Sequence, residues 1–125
     1  MTLTKNTNKS KYSTKKLDTL FSKIIRAKGK CSHCGSNQRL QCAHIHSRRY
    51  HQIRWDLRNA IPLCASCHLK FTYNPIAWQI YIEQSFGKNH WRDLMEKAQK
   101  IAKIDHQEVY EYLLKMEVHL TRLYE

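Results

Sequence analysis

The sequence predicts an α+β fold dominated by helices, and three observations carry that prediction. Two Cys-x2-Cys pairs, Cys31/Cys34 and Cys64/Cys67, bracket two short strand-like runs. Apolar residues recur at helical spacing ahead of the first pair, and they do so again through most of the chain after the second. At 125 residues the chain suffices for one compact domain but not for two with separate cores. The reading is therefore a basic tail over residues 1–13, a helix plus core over 14–74, and a helical extension over 75–125.

The tail is polar and lysine-rich with nothing to bury, so it is expected to stay disordered until it meets a partner. Ser13 or Thr14 then caps a first helix, whose stripe is Leu17, Leu20, Phe21, Ile24 and Ile25 and whose stop is Gly29. Cys31-Ser32-His33-Cys34-Gly35 reads as a metal knuckle, with the glycine permitting a tight turn. Arg39 to His44 suggests a short strand. Ser47 to Arg58 carries four arginines and no period, as a binding loop would. Ala60 to Leu63 is a second strand, and Cys64 to Tyr73 a helix with the second cysteine pair in its first turn.

Asn74-Pro75 caps and begins another helix that runs to about Phe86. Two more are expected after Gly87. The first buries Trp91, Leu94, Met95, Ala98, Ile101 and Ala102. The second follows a capping-box spacing at Asp105-His106-Gln107-Glu108 and carries Val109, Tyr112, Leu113, Met116, Leu120 and Leu123. These stripes serve as core or as the seam of a homodimer through the C-terminal helices.

Charge narrows the choice of partner. Residues 1–74 hold fifteen Lys/Arg against two Asp/Glu, whereas residues 75–125 hold seven against eight. A half this basic is the footprint of a polyanion-binding surface, and DNA is the expected partner. A lipid surface fits less well, because the basic tail has no apolar face to insert. No run approaches the roughly 18 to 20 apolar residues of a membrane span, and the N-terminus lacks the apolar centre of a signal peptide. The expectation is a soluble protein without a membrane partner, in a reducing cytoplasm.

Five cysteines, two short-spaced pairs and no secretion signal disfavour a disulfide framework. Cys31, Cys34, Cys64 and Cys67 around a tetrahedral structural Zn(II) is the better reading. Cys42 is left over as a small buried strand residue. Interlocked with the zinc pattern is His44-x14-Asn59-x8-His68, with Asn59 and His68 inside the string Asn59-x4-Cys64-x2-Cys67-His68. Loose triples arise by chance; this interlocking makes the pattern specific.

Over Cys31 to Tyr73, about a third of the chain, the sequence resembles the ββα-metal nucleases of the HNH superfamily. The likeness is to members braced by two Cys-x2-Cys pairs, such as endonuclease VII-like resolvases. The run Ala43-His44-Ile45-His46-Ser47-Arg48-Arg49 followed by Arg54-Trp55-Asp56-Leu57-Arg58-Asn59 is similar to the NinG (Rap)-type phage recombination endonucleases. The resemblance implies a zinc-stapled ββα-metal core and divalent-metal-dependent hydrolysis of DNA, with a bias toward branched recombination intermediates. It also implies, for a phage-encoded protein, a place in the host cytoplasm.

Within that resemblance each residue has a reason. Phosphodiester hydrolysis needs a base for water and a cation for the charge growing on phosphate. His44 is the candidate base, Asn59 the residue that holds the base or its loop, and His68 the ligand of the catalytic ion, Mg(II) or Mn(II). The plain alternatives are a core or zinc-site histidine for His44, a turn residue for Asn59 and a zinc ligand for His68. Many family members carry an acidic ligand just before the base, and here that position is Ala43. The ion is then held by His68, substrate phosphate and water, or a second ligand comes from Asp56 or, ranked after it, His46. Arg48, Arg49, Arg54, Arg58 and Lys70 are expected to grip phosphates rather than read bases. The rival from another class is a non-catalytic zinc-ribbon DNA-binding module.

Overall fold

The computed structural model describes residues 11–124. The expected disordered tail lies outside the described residues for positions 1–10. Residues 11–13 are not tail: the Tyr12 ring packs 5.5 Å from that of Tyr110, and the Tyr12 carbonyl accepts a 2.6 Å hydrogen bond from His106 Nδ1.

Helix α1 (Thr14–Arg26) starts where Ser13 Oγ accepts from the Lys16 N–H at 3.2 Å, satisfying one of the donors a helix start leaves free. It ends before Gly29, whose φ of 81° suits a residue without a Cβ. Strands β1 (Leu40–His44) and β2 (Ala60–Cys64) pair antiparallel, with His44 opposite Ala60 and Leu40 opposite Cys64. The connection between them holds two 3-10 turns, His51–Ile53 and Leu57–Asn59.

Helix α2 (Ala65–Thr72) is capped by the Cys64 side chain. It leads into α3 (Pro75–Phe86), with Pro75 in the first turn, where a missing N–H does no harm. Helices α4 (Lys88–Ala98) and α5 (His106–Tyr124) complete the chain. Asp105 Oδ1 accepts from the N–H groups of Gln107 and Glu108, as the capping pattern leads one to expect. Among the described residues the fold is α+β, mostly helical, with one two-stranded sheet.

Alternation along the strands divides the interior in two. Ala43, Ile61 and Leu63 join Ile45, Ile53, Phe71, Ile82 and Leu94 on the face covered by α2, α3 and α4. Cys42 and Ala60 belong to the other cluster, where Leu17, Phe21, Ile24 and Ile25 of α1 meet Trp55 and Leu113. The sheet is thus the partition, and His44 stands at its end on the α1 side, its ring stacked 5.4 Å from that of Phe21.

Two expectations about the last helices change. Helix α4 stops at Ala98, so Ile101 and Ala102 are exposed rather than buried in it. On α5 only Leu113 of the anticipated stripe is fully buried, while Tyr112 and Leu123 face solvent. Its inner seam is the narrower set Val109, Tyr110, Leu113 and Leu120 against α1. Among the described residues no helix is long and apolar enough to cross a membrane.

Candidate functional site

The sulfurs of Cys31, Cys34, Cys64 and Cys67 all lie within 4.8 Å of one another, and Cys34 and Cys64 are 3.7 Å apart. Zn–S bonds of about 2.3 Å in a tetrahedron put sulfurs roughly 3.8 Å from each other, so the four fit an ion such as zinc. Local backbone builds this arrangement twice. The Cys34 N–H points at Cys31 Sγ at 3.5 Å, and the Cys67 N–H at Cys64 Sγ at 3.4 Å. Gly35, at φ 79°, turns the chain after the first pair. Burial opposes ionisation of the Cys31 thiol, but N–H groups of Cys34, Cys64 and His33 outweigh it and bring the pKa down to about 6. Burial and the neighbouring thiols push Cys67 up. A cation at the centre would hold all four as thiolates. Outside them, His33 Nδ1 lies 3.2 Å from Cys67 Sγ, a contact of the kind that steadies a metal-bound sulfur.

The second centre is an open cleft of about 620 Å³ between α1, β1 and α2. Asp18, Ser22 and Arg26 line it from α1, Gln41, Cys42 and His44 from β1, and Arg48 and His68 complete the wall. His44 and His68, far apart in sequence, therefore face one space. His44 Nε2 donates to the Arg54 carbonyl at 3.0 Å, and because a carbonyl only accepts, the proton sits on Nε2 and Nδ1 keeps its lone pair. His68 Nδ1 donates to Gln41 Oε1 at 2.7 Å, which leaves its Nε2 as the acceptor nitrogen. Burial lowers the pKa of both rings; at His44 the bond to the Arg54 carbonyl works against it. Both are accordingly neutral imidazoles near pH 7.

Asn59, fully buried, ties the loop that carries Arg54. Its Oδ1 accepts from the His46 N–H at 2.9 Å, and its Nδ2 donates to the carbonyls of Ile53 at 3.0 Å and His46 at 3.2 Å. Its own carbonyl accepts from the Ile45 N–H at 2.7 Å. These bonds close the base of the connection between the strands, directly after the histidine at the end of β1.

Several residues stand elsewhere than the sequence suggested. Asp56 lines a different cleft, with Lys97 and Leu57, and is held by Lys97 Nζ at 2.7 Å and Arg58 Nη2 at 3.3 Å. Burial works against its ionisation, and those two cations outweigh it. It braces α4 and is no ligand beside His68. His46 is buried, its Nε2 donating to the Trp91 carbonyl at 3.0 Å, so it too is committed to the core. Arg54 does not face a ligand: its guanidinium takes both oxygens of Asp18, at 2.9 and 2.6 Å. Arg58 is exposed but paired with Asp56. Arg48, Arg49 and Lys70 are exposed, and of these Arg48 lines the cleft.

The wall contributed by α1 is what sequence reasoning missed. Asp18, Ser22 and Arg26 are spaced by four, one polar stripe beside the apolar one. Arg26 Nε bonds back to Ser22 Oγ at 3.1 Å. A usable sign was present: Asp18 is one of only two acidic residues in the first 74. Cys42 also lines the cleft, and burial pushes its thiol up to about 12, so it stays protonated. Comparisons with protein-family models, with curated proteins and with solved structures returned no match for this chain.

Proposed function

We propose that this protein is a divalent-metal-dependent DNA endonuclease of the HNH type, with the four-cysteine centre as its structural zinc site and the cleft between α1, β1 and α2 as its active site. One observation carries the reading. His44 and His68 line the same cleft, each with one nitrogen committed to a hydrogen bond and the other left with a lone pair. One lone pair suits a base and the other a metal ligand, and Arg48 and Arg26 supply positive charge at the rim.

In this mechanism His44 Nδ1 takes a proton from water, the water oxygen bonds to phosphorus, and the P–O bond to the leaving sugar oxygen breaks, that oxygen leaving protonated by solvent. A divalent ion bound at His68 would neutralise charge on the phosphate. With Asp56 and His46 committed elsewhere, His68 is the residue that would hold such an ion. An imidazole donor suits Mn(II) or Ni(II) better than Mg(II). Branched recombination intermediates remain the substrate class that the sequence resemblance implies, and Arg48, Arg49 and Lys70 the phosphate grips.

The test is nicking of supercoiled plasmid by the zinc-loaded protein, with Mg(II), Mn(II) or Ni(II) added in turn. Cutting is expected, stronger with Mn(II) or Ni(II) than with Mg(II). His44→Ala should lower the rate by about 100- to 10,000-fold with DNA affinity unchanged, and His68→Ala should lose cutting along with metal dependence. A protein that binds DNA and cuts it with none of these ions is instead the non-catalytic module.

A further inference from the structure

We infer that Asp18 is a positioning residue for His44, acting through Arg54 to fix which imidazole nitrogen carries the proton; this rests on the nuclease reading of the same cleft. The Asp18 carboxylate is saturated by donors from one short stretch of the loop. Arg54 Nε reaches Oδ1 at 2.9 Å, Arg54 Nη2 reaches Oδ2 at 2.6 Å, and Trp55 Nε1 reaches Oδ1 at 2.9 Å. Arg48 Nη1 stands 3.9 Å from Oδ2. The pair is no loose surface bridge, since the Arg54 and Asp18 side chains are only 15% and 22% exposed. The planar guanidinium and the planar carboxylate also meet side on, which fixes orientation as well as distance.

What Arg54 does next gives the contact its consequence. Its third nitrogen, Nη1, donates to the Arg48 carbonyl at 3.1 Å, so one side chain spans the loop between residues 48 and 54. Its own backbone carbonyl accepts from His44 Nε2. Asp18 thus holds the guanidinium, the guanidinium holds the loop, and the loop presents the carbonyl that selects the Nε2–H tautomer. Phe21, one turn further along α1, stacks on the same imidazole at 28° between planes. A single helix therefore sets both the face and the edge of the ring. If the carbonyl drifts, the neutral imidazole divides between tautomers, and the fraction protonated on Nδ1 has no lone pair with which to accept a proton there.

Asp18 lies in the cleft and carries a carboxylate, so a ligand role for the catalytic ion is the alternative to separate. Asp18→Asn keeps the size, loses the charge, and replaces one acceptor with a donor that faces Arg54. Positioning predicts a kcat for plasmid nicking lower by roughly 10- to 100-fold, the range for a displaced catalytic group. KM for DNA and the Mn(II) concentration for half-maximal rate should be unchanged. In 15N spectra of labelled full-length, zinc-loaded protein, the two His44 nitrogens should move from the separated shifts of one tautomer toward each other. Arg54→Lys, which keeps a charge but loses the paired bonds, should do the same and serves if Asp18→Asn does not fold.

A variant that nicks at the wild-type rate with unmoved His44 nitrogens overturns the proposal, as does a slower variant whose whole defect is reversed by more Mn(II). Should the wild-type protein cut no DNA, the nuclease reading fails on its own. The nitrogen spectra then decide the positioning alone, supporting it if they shift and refuting it if they do not.

Discussion

Asn59 shows how much one amide can hold. Its side chain, shielded from water, satisfies the His46 N–H and the carbonyls of Ile53 and His46. Asn59→Ala would strand the N–H and the carbonyl of His46, while the Ile53 carbonyl keeps the Asp56 N–H at 3.2 Å. A buried group left unpaired costs about 1–3 kcal/mol, so a loss of roughly 3 kcal/mol or more is expected. For a domain near this size that is on the order of 10–20 °C in Tm. Thermal unfolding of the zinc-loaded variant checks it, and a Tm within a few degrees of wild type would show that water or a loop shift replaces the missing bonds.

At the same scale, the spacing of His44, Asn59 and His68 was legible because it interlocks with cysteines that have their own reason to be there. Asp18 was not. Its partners, Arg54 and Trp55, lie 36 and 37 residues away, and nothing local distinguishes it from a solvated helix residue. Asp56 was misread for the converse reason: a carboxylate near the motif in sequence suggests a ligand, and only the position of Lys97 on α4 shows that it is already paired.

Among the elements, the strand–strand–helix unit depends on its sulfurs. The sheet has two strands of five residues, and α2 has eight. A unit that small buries too little apolar surface to fold unaided. Cys31→Ser or Cys64→Ser is therefore expected to release zinc and unfold the region from Cys31 to Tyr73, with cutting lost alongside. Metal analysis and circular dichroism read it out; a protein that purifies without zinc, or a variant that keeps its fold, would contradict it. Starts and stops of elements were legible where a cap has a local cause, as at Ser13, Pro75 and Asp105. The end of α4 and the exposed side of α5 were not, because a helical period tells which residues share a face but not how much of that face a neighbour covers. Helix α1 illustrates the limit best: its apolar stripe was plain, whereas its use as a wall of the cleft depends on where β1 and the loop come to lie.

Across the whole molecule, charge follows the division into a basic first part and a near-neutral second. That asymmetry was legible from composition alone, but which cations are free to meet the DNA of the proposed function was not. Arg54 is consumed by Asp18 and Arg58 is paired with Asp56, whereas Arg49 and Lys70 are exposed, as is Arg48, which stands 3.9 Å from Asp18. Binding should follow that distinction. For every phosphate that a variant no longer neutralises, the log-log dependence of affinity on salt flattens by about 0.9. Arg49→Ala should therefore reduce the slope without changing sequence preference, and deletion of residues 1–10, which removes Lys5 and Lys9, should reduce it further. Arg54→Ala should act differently, loosening the loop and slowing cutting while the slope stays near that of wild type. Fluorescence titrations of one duplex across a salt series separate the two classes. A slope that Arg54→Ala lowers as much as Arg49→Ala does would mean that the Asp18 pair opens when DNA binds. A slope unmoved by the truncation would place the footprint wholly on the folded domain, around the cleft that Arg26, Arg48 and the two histidines share.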